Sequence, residues 1–266
     1  MADIKLLKKL RETTKAAFKD CKEAIEKTGG DFDASVEYLK EKGASKAAKK
    51  FDRDTNDGVV KVLKINGKNV GVKLGCETDF VAKSPDFHAL VEEILNIFGE
   101  NLDSIDSLND VDSDFIDNNL TPIINSAIGT IGENIKLLDV FVDSGKSYIY
   151  SHPGDKIITV VYYDGGDFDD SAKEIALQIT AMDPEYKSIQ DVPSDYIEAI
   201  KNGFREEIES SGKPKEVLEK ILEGKVSKHF GDIVLMEQSY IRDESKKMKD
   251  ILPDGFDFLK FRRYSI

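Results

Sequence analysis

The chain of 266 residues has little of what covalent catalysis or a bound metal would need. Cysteine occurs only at Cys21 and Cys76, far apart and each within an apolar pattern. Two such thiols read as buried side chains kept reduced in a cytosol. Histidine occurs only at His88, His152 and His229, without the spacing of a metal-ligand set, and each reads as a surface or packing residue. No serine or cysteine lies in a nucleophile motif. Basic residues are also short, 38 against 51 acidic ones, for a net charge of −13. That excludes a general nucleic-acid or anionic-membrane surface, which needs a basic face, so any RNA contact would be local. No apolar run reaches the length of a membrane span, and Met1-Ala2-Asp3-Ile4 opens no signal or transit peptide. The expectation is a soluble, cytoplasmic protein that binds rather than catalyses and carries no cofactor.

What is present is enough for two or three modest domains, with 40% hydrophobic and 33% charged residues. Residues 3 to 43 read as three short helices. Asp3 can cap the first, which aligns Ile4, Leu7 and Leu10. The second carries Ala17, Phe18, Cys21, Ala24 and Ile25 and ends at Gly29-Gly30; Asp31 opens the third and Gly43 stops it. This predicts a compact bundle of the ubiquitin-associated type, for which ubiquitin binding is one functional reading. The basic run from Gly43 to Lys50 is flanked by acidic residues and reads as a solvated helix face, with a nucleic-acid patch as the alternative. Asp52 to Asp57 reads as a mobile tether.

Val59–Ile65 and Lys68–Cys76 flank Asn66-Gly67, a strong hairpin signal that sets Leu63 against Val70 and Val59 against Leu74. One face of that hairpin is apolar except for Lys61 and needs covering by helices. A helix from Ser84 to Phe98 is a candidate, with Ser84 as cap and Pro85 in its first turn. A second helix is predicted from about Asp114 to Ile128. Leu137–Val142, Ser147–Ser151 and Ile157–Tyr163, punctuated by Gly145 and Pro153-Gly154, suggest an antiparallel meander. Asp169 or Asp170 is placed to cap a helix through Ile175 and Ile179. Two antiparallel helices, one from Pro193-Ser194 and one through Val217 to Leu222, turn at Ser211-Gly212-Lys213-Pro214. Ile241 to Ser245 with Met248 to Leu252 suggest a short helix, and an aromatic strand through Phe256, Phe258 and Phe261 completes the pattern.

Between the hairpin and the Ser84 helix lies Thr78-Asp79-Phe80-Val81, a carboxylate beside a large aromatic. By pattern alone Phe80 stays in phase with Val70, Val72, Leu74 and Cys76 and would pack inward on a continued strand. Thr78-Asp79-Phe80-Val81-Ala82-Lys83, however, resembles the signature of the elongation factor Ts family. The resemblance extends along nearly the whole chain. Leu10-Arg11-Glu12 with Thr14 and Asp20-Cys21-Lys22 is similar to the family's opening. Ile131-Gly132-Glu133-Asn134-Ile135 is similar to a second motif, and Ser211 to Glu216 with Glu219 to Lys225 to a third region. The glycine pair Gly129/Gly132 lacks the glycine-lysine-hydroxyl ending of a phosphate loop and reads as a turn from helix to strand. One departure is clear: Lys15-Ala16-Ala17 and Phe18-Lys19 stand where the family has a Gly-Ala-Gly turn and a methionine pair, which bears on that turn and its partner contacts.

The resemblance implies an α+β fold: a three-helix N-terminal domain (1–50), a linker (51–57), and a core of two subdomains (58–138 and 139–266). Antiparallel sheets are packed by helices, and a helical hairpin at about 194–230 projects. Some relatives continue into a further C-terminal helix beyond the position of Ile266. It implies a guanine-nucleotide exchange factor for the GTPase elongation factor Tu. Thr78, Asp79, Phe80 and Val81 would reach the GTPase's nucleotide site and displace magnesium coordination there. Dimerisation through the hairpin, known in some members, is a further implication. The rival reading is a ubiquitin-like or RNA-binding adaptor built on the N-terminal bundle and basic linker, which leaves residues 58–266 without a task.

Overall fold

A computed structural model describes residues 4–14, 16–209 and 214–266. The Asp3 cap, Lys15 in the altered turn and the Ser211-Gly212-Lys213 turn lie outside those residues. The fold mixes helices with antiparallel sheets and divides into two compact units. One runs to Ser144 and includes 153–157 and 264–266; the other comprises 145–152 and 158–263.

The first unit contains α1 (Ile4–Thr14), α2 (Phe18–Lys27), α3 (Phe32–Ala48), β1 (Asp57–Ile65), β2 (Lys68–Cys76), α4 (Asp79–Ala82), α5 (Pro85–Asn101), α6 (Ser113–Asn119), α7 (Thr121–Ile131) and β3 (Ile135–Ser144). Leu7, Leu10, Cys21, Ala24 and Ile25 bury a small core beneath α3. Gly29 and Gly30, at φ 66° and 86°, close α2, and Asp31 caps α3 by accepting from the Ala34 N–H at 2.7 Å. Gly43 does not stop α3, which continues to Ala48. It is buried where α3 meets α7, and its missing side chain provides room rather than unusual backbone freedom.

Residues 52–57, expected as a mobile tether, are tied to the core instead. Asn134 Nδ2 donates to the carbonyls of Arg53 (2.7 Å) and Phe51 (3.3 Å), and Asp57 already belongs to β1. The basic run is engaged as well. Lys46 Nζ reaches Asp20 at 2.7 Å and the Gly129 carbonyl at 3.1 Å, and Lys50 Nζ reaches the Gly132 carbonyl. Cations there meet the unpaired carbonyls and negative dipole end of α7.

β1 and β2 pair in the expected register, Leu63 with Val70 and Val59 with Leu74. Asn66 (φ 52°) and Gly67 (φ 77°) both take the left-handed conformation of a type I′ turn. β3 then adds to β2, giving the order β1-β2-β3. The meander is therefore corrected: its first strand leaves to pair with β2, a partner about 70 residues away that no local pattern encodes. Phe87, Val91, Ile94 and Phe98 of α5 cover the sheet's apolar face, and Ser84 caps that helix. The single helix expected over 114–128 is two, α6 and α7. Pro122 lacks the N–H that would continue α6, and the chain breaks at Leu120.

The second unit contains β4 (Ser147–Ser151), most of β5 (Ile157–Asp164), α8 (Asp169–Met182), α9 (Ser194–Glu209), α10 (Lys215–Ile233), β6 (Ser239–Tyr240), β7 (Asp243–Lys247) and most of β8 (Asp257–Ser265). β4, β5 and β8 form one sheet in that order, with Val161 and Tyr163 packed on Ala172, Ile175 and Ile179 of α8. Asp169 does not cap α8: it is the first helical residue, and its carboxylate accepts from the Tyr163 hydroxyl. α9 and α10 run antiparallel, joined by Tyr196 Oη and His229 Nε2 at 3.0 Å and by Lys225 and Glu207 at 2.8 Å. The helix expected over 241–245 and 248–252 is corrected: residues 243–247 form β7, and only a single tight turn follows at Met248–Asp250. Among the described residues, no helix is long and apolar enough to cross a membrane.

Candidate functional site

The sheet ends at a place fixed by its own register. Cys76 pairs with Ile135 and is fully buried; burial, with Glu133 and Asp57 nearby, pushes its thiol up to about 12. Beyond Cys76 the two strands stay in step although their own ladder has ended. The Asn134 N–H donates to Glu77 Oε1 at 2.6 Å. Thr78 donates twice to Glu133, from its N–H to Oε2 at 2.9 Å and from its hydroxyl to Oε1 at 2.6 Å. Glu77 is held below the usual carboxylate range, first by the Asn134 N–H, with Arg53 at 3.3 Å adding to it.

Thr78 has extended backbone (φ −132°, ψ 155°) and caps α4, its hydroxyl accepting from the Val81 N–H at 3.4 Å. One turn of helix cannot persist alone, because nucleation costs more than its few bonds return. α4 persists because its inner side is packed: Ala82 is buried and Val81 lies against the main core. The same turn sends Asp79 and Phe80 outward, and Phe80 is 83% exposed. The strand-phase alternative, in which Phe80 packs inward, is thereby corrected. The Thr78 cap breaks the two-residue period before Phe80 is reached. Asp79 pairs with Lys83 at 2.7 Å, and the hydrogen bond from that ammonium holds its carboxyl below the ordinary range.

The four residues singled out in the sequence thus share one turn with different tasks. Thr78 anchors, Val81 packs, and Asp79 and Phe80 face solvent. In the sequence Glu133 and Asn134 stand only within the Ile131–Ile135 motif, with no role of their own. Their signal is the strand register, which continues Cys76/Ile135 to Glu77/Asn134 and Thr78/Glu133. A separate cleft of about 460 Å³, walled by residues including Val36, Leu90, Ile123 and Ala127, contains no residue of α4. Among the described residues, no group of His, Cys, Asp and Glu side chains could hold a metal ion.

A family model described as elongation factor Ts matches residues 77–266, a span that begins one residue before Thr78. The elongation factor Ts of Hydrogenobaculum sp. (strain Y04AAS1) is 39% identical over 92% of this chain and 90% of its own length. That of Aquifex aeolicus is 34% identical over 97% and 94%, and that of Anaplasma phagocytophilum 35% over 97% and 94%. The chain belongs to the elongation factor Ts family. Its role is that of a nucleotide exchange factor in translation elongation. The span matched by the elongation factor Ts model includes both the α4 turn and its anchor, Glu133.

Proposed function

We propose that the chain accelerates GDP release from elongation factor Tu by inserting Asp79 and Phe80 beside the GTPase's magnesium and phosphate site. The observation that carries this reading is Phe80, a large aromatic held 83% exposed on a turn whose opposite side is packed. An aromatic side chain kept in water gains by burial only when a partner arrives. Displacing magnesium coordination removes charge neutralisation from the diphosphate and weakens the hold on GDP. Asp79 brings a carboxylate to the same place. Its pairing with Lys83 limits repulsion as it nears the phosphates.

Magnitudes restrict the role of Phe80. A roughly ten-thousandfold faster release needs a barrier drop of about 5.5 kcal/mol. Burying one Phe supplies only about 1.5–3 kcal/mol. The remainder must come from contacts elsewhere on the chain, so that remote binding energy supports distortion at the nucleotide site. In this account the N-terminal domain (1–50), joined through 51–57 to the core subdomains at 58–138 and 139–266, holds the GTPase together with the second subdomain. The N-terminal helices are of ubiquitin-associated type, and the hairpin at 194–230 projects and can serve a homodimer. The protein acts in the cytoplasm by binding alone, without direct nucleic-acid contact. Against the adaptor reading, two lysines of the basic run, Lys46 and Lys50, are engaged by Asp20 and the end of α7.

The test is release of a fluorescent GDP analogue from elongation factor Tu, with and without the full chain, at high magnesium and with magnesium chelated. The expected result is strong stimulation at high magnesium that shrinks on chelation, because the step being accelerated has already been taken. Equal stimulation under both conditions would contradict displacement of magnesium coordination.

A further inference from the structure

We propose that Glu133 is a positioning residue for nucleotide exchange, fixing the Thr78–Ala82 turn from which Asp79 and Phe80 act; this rests on the reading of Phe80 as the inserted side chain. Glu133 offers both carboxylate oxygens to one residue, taking the Thr78 N–H at 2.9 Å and the Thr78 hydroxyl at 2.6 Å. Hydrogen bonds to an ionised acceptor are shorter and roughly twice as strong as neutral ones. A glutamine could keep both contacts in neutral form, because the Thr78 hydroxyl can accept from its amide, so alanine is the change that removes the fork.

The fork depends on how the sheet is built. Lys73 pairs with Asp139 but Leu74 with Leu137, so Leu138 is an extra residue on β3. That bulge shifts the register by one and brings Glu133 opposite Thr78; without it Asn134 would stand there. The neighbouring pair repeats the arrangement, with the Asn134 N–H on Glu77. Gly132, at φ 93°, ends α7 and turns the chain directly into this clamp. Thr78 therefore takes its position from the short connection between α7 and β3, at the end of the sheet. A side chain that must enter a partner's site gains from such a rigid mount, since less ordering remains to be done on binding. Glu133 acts through Thr78 and is not itself at the exposed tip.

The experiment compares the full chain with Glu133→Ala, Thr78→Val, Thr78→Ser, Phe80→Ala and the Glu133→Ala/Phe80→Ala double variant. Each is checked for folding by circular dichroism and titrated against elongation factor Tu carrying a fluorescent GDP analogue. Glu133→Ala and Thr78→Val should lower the maximal release rate about tenfold while the half-saturating concentration changes less than about twofold. Thr78→Ser, which keeps both donors, should restore the rate. The double variant should be slower than Phe80→Ala by much less than tenfold, because Glu133 acts through the same turn and only Asp79 is left there to misplace. Normal maximal rates in folded Glu133→Ala, with Phe80→Ala slow, would overturn the positioning role and leave the Phe80 reading intact. A normal rate in Phe80→Ala would overturn both.

Discussion

The close approach of α3 to α7 makes a prediction whose sign can be worked out. Gly43 lies inside α3 with ordinary helical backbone, where alanine would ordinarily gain about 1 kcal/mol. A Cβ there would stand 3.1 Å from the carbonyl oxygen of Asn125 and 3.6 Å from the Cα of Ser126; one at Gly129 would stand 3.0 Å from the Cα of Gly43. These neighbours are backbone atoms of packed helices and cannot swing aside. Overpacking of this kind costs about 1–3 kcal/mol. Gly43→Ala should therefore be neutral to destabilising by up to about 2 kcal/mol, the propensity gain offsetting part of the crowding. Gly43→Leu should lift α3 off α7, and hydrogen exchange at Val36–Ala48 should quicken. Gly203 and Gly224 serve as controls: both are helical, and a Cβ added at either would meet nothing within 4 Å, so alanine there should stabilise by about 1 kcal/mol. Urea unfolding of all four variants gives the comparison. A Gly43→Ala gain as large as that of Gly203→Ala, with unchanged exchange in Gly43→Leu, would refute the docking of α3 on α7.

Two further outcomes are expected. Burial would raise Asp20, but Lys46 at 2.7 Å and Lys42 at 2.9 Å outweigh it and hold the carboxyl below its usual range. Its contribution is therefore present above its unfolded value of about 3.9 and lost as pH falls through the lower folded value. The melting temperature of the wild type should exceed that of Asp20→Asn at pH 7, with the gap closing in strong acid; a gap independent of pH would contradict this. Asn134→Ala should cost about 1–3 kcal/mol, because the Arg53 and Phe51 carbonyls lose a buried donor. It should also speed hydrogen exchange at residues 51–55, and unchanged exchange there would show that the segment is held by other means.

Local chemistry made much of the fold legible. Asn66-Gly67 permits little but a tight turn, so the β1–β2 register followed, and Ser84-Pro85 marks the start of α5 by the same logic. What escaped depended on distant partners. Nothing near Leu137–Val142 says that this strand pairs with Lys68–Cys76 rather than with the strand that follows it. Gly43 reads as a helix stop unless α7 is known to lie against it. Pro122 is the exception, a visible break that the apolar stripe concealed. At the candidate site Phe80 kept strand phase, and periodicity could not eject it. The Thr78 cap and the Glu133 fork do so, and the fork joins residues 55 positions apart.

The most direct test of the account is one variant measured twice. Phe80→Ala in the full chain should change unfolding free energy by no more than about 0.5 kcal/mol, as at other exposed sites. Catalysed GDP release from elongation factor Tu should slow by a free energy of about 2 kcal/mol or more, roughly thirtyfold, as for an interface hot spot. Asp79→Ala should follow the same pattern more weakly, since its carboxylate is screened at the surface. A Phe80→Ala protein that loses about 3–5 kcal/mol of stability, the cost of removing a buried Phe, while its folded fraction exchanges nucleotide normally would contradict the insertion mechanism.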